Sequence, residues 1–175
     1  DILLAGKRIV PGAKPNTPRE DVYRIETHIL HYQPDFLIAV GSGSTIDCVK
    51  ASNFLATLGE QSPEIEDYFG TGLVSASLQK LERQLRPFIA IQTSASSAAH
   101  LTKYSNVSDP VAGQKKLIVD NALIPNKSIF DYTLTVTMPF SLTIDGALDG
   151  MAHMLEVFYG IAADKFNLVR EIVST

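Results

Sequence analysis

A disulfide framework, a membrane-spanning run and a basic face are all missing from this sequence. Its 175 residues contain a single cysteine, Cys48. One thiol excludes internal disulfides and fits a reducing compartment, so a cytoplasmic protein is expected. Positive charge is sparse: 15 Lys and Arg against 19 Asp and Glu leave a net charge of -4. The adjacent basic pairs Lys7-Arg8 and Lys115-Lys116 do not make the clustered face that a phosphate backbone requires, which excludes nucleic acid as a partner. No apolar run approaches the ~20 residues of a spanning helix, so no membrane partner is expected. Asp1-Ile2-Leu3-Leu4-Ala5-Gly6 has neither an initiating Met nor the form of a signal peptide. It reads as a strand entered in mid-protein, and the chain is expected to lack its true start. What remains, 45% hydrophobic and 19% charged, is an ordinary globular composition.

Short apolar runs alternate with segments of helical period, the pattern of a parallel α/β layer. Val22, Ile25, Ile29 and Tyr32 predict a helix from Pro18 to Gln33, with Thr17 as its cap. Phe36-Leu37-Ile38-Ala39-Val40 reads as a strand buried on both faces. After Gly41-Ser42-Gly43-Ser44 a second helix is predicted over 45–58, and residues 59–73 read as a loop with one short helical turn. Leu78, Leu81 and Leu85 suggest a helix ended by Pro87. Further strands are predicted at 88–91, 117–119 and 128–130. From Pro139 onward the period is helical, which places a domain boundary near Met138.

Strand, Gly-Ser-Gly-Ser and helix bring the free N–H groups of a helix N-terminus to a place where an anion is attracted, and the glycines permit close approach. The same turn serves equally well to join a strand to a helix. Asp47 reads as an acid favoured by the helix dipole and Lys50 as a helix-surface lysine. After the strand at 88–91, Thr93, Ser94 and Ser97 offer hydroxyls at a carboxyl end, where the ligands of α/β sheets bind. A polar surface turn is the alternative. His100 has a reference pKa near neutrality, which suits a proton shuttle or, equally, a structural histidine. Asp149 and His153, four apart, share a helix face, and a carboxylate with an imidazole there can bind one divalent metal. Such pairs are more often surface interactions. The rest of this helix is apolar, however, and an unpaired carboxylate on a buried face would be costly, which favours an ion or a specific partner.

The segment 36–50 resembles the pyrophosphate loop of the iron-containing (group III, metal-dependent) alcohol dehydrogenases. That family reads Gly-Gly-Gly-Ser, two residues, Asp, two residues, Lys after an apolar strand. Gly41, Ser42, Gly43, Ser44, Asp47 and Lys50 match it, with Ser42 in place of the middle glycine. Asn16-Thr17-Pro18 resembles the family's Asn-Pro turn in altered form. Residues 93–100 resemble its Thr-Thr-Ala-Gly-Thr-Gly-Ser-Glu-type loop, with both glycines and the glutamate replaced, and the serine-rich version is also similar to glycerol dehydrogenases. Lys115, ten residues before Pro125, matches the lysine that contacts the cofactor ribose. Ile124-Pro125, Phe130-Asp131 and Leu134-Thr135 continue the likeness. The stretch from Asp149 to His153 resembles the family's metal helix, with Gly150 replacing the common alanine.

The resemblance implies an α/β fold: a parallel-sheet nucleotide-binding domain of dehydroquinate synthase type over 1–138, then the beginning of an all-helical metal-binding domain over 139–175. Each would lack its outer part. It implies NAD or NADP, with the pyrophosphate on Gly41, Ser42, Gly43 and Ser44 and the nicotinamide near residues 93–99; His100, the one titratable side chain in that loop, is the candidate catalytic group. It implies a divalent metal, Fe2+ first and Zn2+ second, on Asp149 and His153. Two further histidines from later helices complete the family's site and are not in this sequence; His28 and His31 lie on an earlier helix and are not expected to substitute. Weak metal binding and an inactive chain on its own are therefore expected. The substrate class is an alcohol or aldehyde, and the protein a homo-oligomer, simplest as a dimer. Competing readings are a glycerol dehydrogenase-like or dehydroquinate synthase-like relative, and an inactive nucleotide-binding homologue.

Overall fold

The computed structural model describes residues 9–161 and 165–173; the strand expected at the start of the chain lies outside them. Helix α1 (Arg19–Tyr32) buries Val22, Ile25 and Ile29, as their spacing predicts. Its opening differs from expectation. Pro18 occupies the cap position, and Thr17, at a φ of 49°, donates its hydroxyl to the Ser44 carbonyl at 3.1 Å. There follow β1 (Leu37–Gly41), α2 (Gly43–Leu58), β2 (Gly70–Thr71), α3 (Leu73–Lys80) and β3 (Phe88–Gln92). The hairpin β4 (Tyr104–Asp109) and β5 (Gln114–Val119), then β6 (Lys127–Phe130), α4 (Phe140–Tyr159) and α5 (Phe166–Val173), complete the order.

Strands β1, β3 and β6 make a parallel sheet in the order β1-β3-β6, with Ala39 opposite Ala90 and Ala90 opposite Ser128. Helix α2 is the centre of the core. Ile46 and Val49 pack with Ala39, Phe88 and Ala90 of the sheet, while Phe54, Leu55 and Leu58 pack with Val22, Ile25 and Ile29 of α1. The helix is buried on nearly all sides, with Asp47, Lys50, Ser52 and Asn53 enclosed beside the apolar residues, and each fully buried large apolar side chain contributes about 2 kcal/mol. Strand β1 departs from expectation. Only Ala39 is buried; Ile38 and Val40 are 47% and 58% exposed, because α2 covers one face and the other stays open among the described residues.

The strand predicted near 117–119 does not join that sheet. It is β5, central in a second sheet of order β2-β5-β4, parallel to β2 and antiparallel to β4. Strand β4 carries no apolar run; Ser105 and Val107 are its buried pair. The third helix lies earlier than Leu78, Leu81 and Leu85 suggest. Gly72, at a φ of 78°, turns the chain into α3, and Asp120 accepts both the Ser75 amide (2.8 Å) and the Ser75 hydroxyl. Glu82, at a φ of 53°, stops any continuation. The three leucines still pack against the core, but from a helix and a loop. Helix α4 has no buried residue among those described, so the buried apolar face expected around Asp149 is not present there.

Candidate functional site

The ends of β1 and β3 lie side by side. The Thr93 amide donates to the Gly41 carbonyl at 3.1 Å, which sets the loop after β3 against the loop after β1. Ser42 caps α2 with extended backbone and an exposed side chain, and the first turn of α2 contains no acid. The partial positive charge of the helix N-terminus is therefore left for a ligand to neutralise. Close approach explains both glycines. A Cβ on Gly41 would stand 2.7 Å from Thr45 Cβ, and one on Gly43 2.5 Å from Ser97 Oγ. Gly12 crowds Thr45 in the same way, 2.7 Å from its Oγ1. Sequence reasoning missed Gly12 and Thr45, because their meeting is purely tertiary. Ser44 accepts the Asn16 amide at 3.1 Å and thereby ties this loop to the turn before α1.

In the second loop, Ser94 accepts a hydrogen bond from Gln92 Nε2 (2.9 Å) and Ser97 one from the Ala99 amide (3.3 Å). Both hydroxyls keep a proton to donate. Thr93 is half-buried at the head of the loop. Ser96, at a φ of 70°, reaches α4: a Cβ on Gly146 would stand 2.7 Å from its Oγ.

His100 is buried rather than exposed to solvent. It is 5% exposed, neither ring nitrogen has a hydrogen-bond partner, and its ring meets Phe130 edge-on at 4.5 Å. Burial first, and the Lys50 charge second, pull its pKa below the ordinary value, which keeps it neutral. Lys50 is not a surface lysine either. Its side chain is fully enclosed, its ammonium donates to the carbonyls of Thr102 (2.7 Å) and Tyr104 (2.8 Å), and burial lowers its pKa to about 8. Asp47 is likewise buried. It accepts the Asn106 amide at 3.0 Å and faces Lys50 at 3.9 Å; burial raises its pKa against those partners. This pair locks α2 to the β4 hairpin. Lys115 lies exposed on β5 opposite Ser108, near enough for its charge to favour the Asp47 carboxylate.

Asp149 and His153 face each other on α4, Oδ2 to Nδ1 3.6 Å, with side chains 63% and 67% exposed. An ion can bridge two donors so placed, but the described residues contain no cluster of three or more such groups. A protein site normally supplies at least three donors. The pair therefore fits part of a metal site. Clefts of about 260 and 790 Å³ lie at the opposite end of the sheet, around Arg86 and the start of β3, away from all these loops. No helix among the described residues is long and apolar enough to cross a membrane.

Residues 4–132 match the model of a family described as iron-containing alcohol dehydrogenase. An NADPH-dependent butanol dehydrogenase from Clostridium saccharobutylicum is 26% identical over 161 residues, covering 91% of this chain and 39% of that protein. Among solved structures, a 1,3-propanediol oxidoreductase superposes with a TM-score of 0.74 at 25% identity, over 86% of this chain and 37% of its own. A sulfoacetaldehyde reductase from Bifidobacterium kashiwanohense, in complex with NAD+, gives 0.68 at 26% identity over 83% and 36%. The chain thus spans between 36% and 39% of these three proteins.

Proposed function

This chain belongs to the iron-containing alcohol dehydrogenase family, and we propose that it supplies the cofactor-binding part of an enzyme transferring hydride between an alcohol or aldehyde and NAD or NADP. The observation that carries this reading is the bond from Thr93 to Gly41, which joins two ligand-type loops over the N-terminus of α2. In it the amides and hydroxyls of Gly41, Ser42, Gly43 and Ser44 hold the pyrophosphate. Thr93, Ser94 and Ser97 donate to ribose or phosphate, and Lys115 approaches the ribose from the hairpin. The nicotinamide carries the hydride. A divalent ion, Fe2+ or Zn2+, on Asp149 and His153 together with donors beyond this pair would supply Lewis acidity at the substrate oxygen. The division into a nucleotide-binding part to residue 138 and a helical part from 139, and a cytoplasmic homo-oligomer, belong to the same reading. His100 takes no chemical step in it; a neutral ring against Phe130 supports the floor of the site.

Relatives and solved neighbours named for NADPH and for NAD+ both support a nicotinamide cofactor. The test is calorimetric titration of the folded chain with NADH and with NADPH. Binding of either, abolished by Gly43→Val, is expected, whereas a folded chain that binds neither overturns the reading.

A further inference from the structure

The geometry points to Ser96 and Gly146 as the seat that positions the Asp149–His153 pair against the cofactor loop. The inference rests on the proposed metal role of that pair and assigns the residues that aim it. Ser96 holds a positive φ of 70°, a conformation that most L-residues avoid. It meets α4 at Gly146: an ideal Cβ there would stand 2.7 Å from Ser96 Oγ, 3.0 Å from Ser96 Cβ and 3.5 Å from the Ala95 carbonyl oxygen. A side chain at 146 would meet the Ser96 hydroxymethyl, so the loop or the helix must give.

Helical spacing turns this contact into an aiming device. Positions three and seven residues beyond 146 return to the same face of an α-helix. Those positions are Asp149 and His153, so the face that rests on Ser96 also carries both donors. Both side chains are exposed, 63% and 67%, on a helix without a buried residue among those described. The same loop touches the pyrophosphate turn through Ser97 and Gly43. A series of close approaches thus runs from α2 to α4, namely Gly43 to Ser97, then Ser96 to Gly146, then one turn onward to Asp149. Ser96 and Gly146 touch no ligand in this scheme; they are positioning residues.

The test uses the chain in solution with Mn2+ alone as probe, read by amide NMR. In the unaltered chain Mn2+ is expected to broaden the amides of residues 149–153 and also those of 94–97, and cross-peaks between Gly146 Hα and Ser96 Hβ are expected. In Gly146→Ala, which favours the helix itself and so keeps it folded, broadening persists at 149–153 but is lost at 94–97. The double variant Ser96→Gly/Gly146→Ala, relieved of the clashing hydroxyl, regains it. Equal broadening at 94–97 with and without Gly146→Ala overturns the positioning role. Absence of broadening at 149–153 in every variant overturns the metal reading instead, and absence of the Gly146–Ser96 cross-peaks then overturns the seat by itself.

Discussion

Lys50 donates its ammonium to the carbonyl of Thr102, 52 residues further along the chain, at 2.7 Å. With the bond to Tyr104 and the facing Asp47, it replaces the hydration that full burial removes. Lys50→Met is expected to leave two carbonyls and a carboxylate without their cation. Breaking a buried charge pair from one side costs about 3 kcal/mol. A lowered urea midpoint with an unchanged slope would show it; a loss below about 0.5 kcal/mol, the scale of surface substitutions, would contradict this role.

The two glycines of the loop between β1 and α2 should behave differently. Gly41→Ala drives a Cβ onto Thr45 Cβ, a branch point that cannot swing away, whereas Gly43→Ala meets the end of the Ser97 side chain. Gly41→Ala is therefore expected to lower stability by about 1–3 kcal/mol, the usual cost of overpacking. Gly43→Ala should spare stability and weaken NADH binding about tenfold, or 1.4 kcal/mol. Thermal unfolding and nucleotide titration of the two variants separate the effects.

His100 gives a pH dependence whose sign follows from its burial. Its folded pKa lies below the ordinary 6.5, so on acidification the unfolded chain takes up a proton before the folded chain does. The stability is in full force above pH 6.5 and is lost as pH falls toward the lowered folded value. His100→Phe, which keeps an aromatic ring beside Phe130 and removes the titration, should flatten that decline. Urea midpoints above and below pH 6.5 measure it, and equal slopes in the two proteins would count against it.

Cys48 is fully buried, and burial pushes its thiol pKa up to about 12. Thiol reagents act on the thiolate. The native chain is expected to resist labelling near neutral pH and to label fully in denaturant, so labelling tracks unfolding. Rapid labelling of the folded chain would show that α2 opens locally.

Asp149→Ala and His153→Ala should separate metal from stability. An exposed ion pair contributes at most about 1 kcal/mol, so each variant should unfold close to the unaltered chain. Each should nevertheless abolish the already weak binding of Zn2+ measured by equilibrium dialysis. Unchanged Zn2+ binding in both would remove the pair from the metal reading.

The legible parts of the sequence were those with a short-range physical signal. The period of Val22, Ile25 and Ile29 marks α1, and the apolar runs with their glycine turn mark β1, the loop and α2. Strand β4 was illegible because its buried position Ser105 is polar, satisfied by donating to the Asp47 carbonyl at 2.8 Å. Lys50 read as a surface residue because nothing in the local sequence announces two carbonyls that arrive from residues 102 and 104.

The sequence by itself determined α1, the β1–turn–α2 unit and the pairing of Asp149 with His153, since each follows from spacing along one helix or one strand–turn–helix. Only the tertiary structure decided which polar and titratable groups are buried. It enclosed His100 and Lys50, brought Gly12 to Thr45, and seated Gly146 on Ser96. Burial and close approach are properties of chain segments that meet from far apart, and residue spacing carries no record of where they meet.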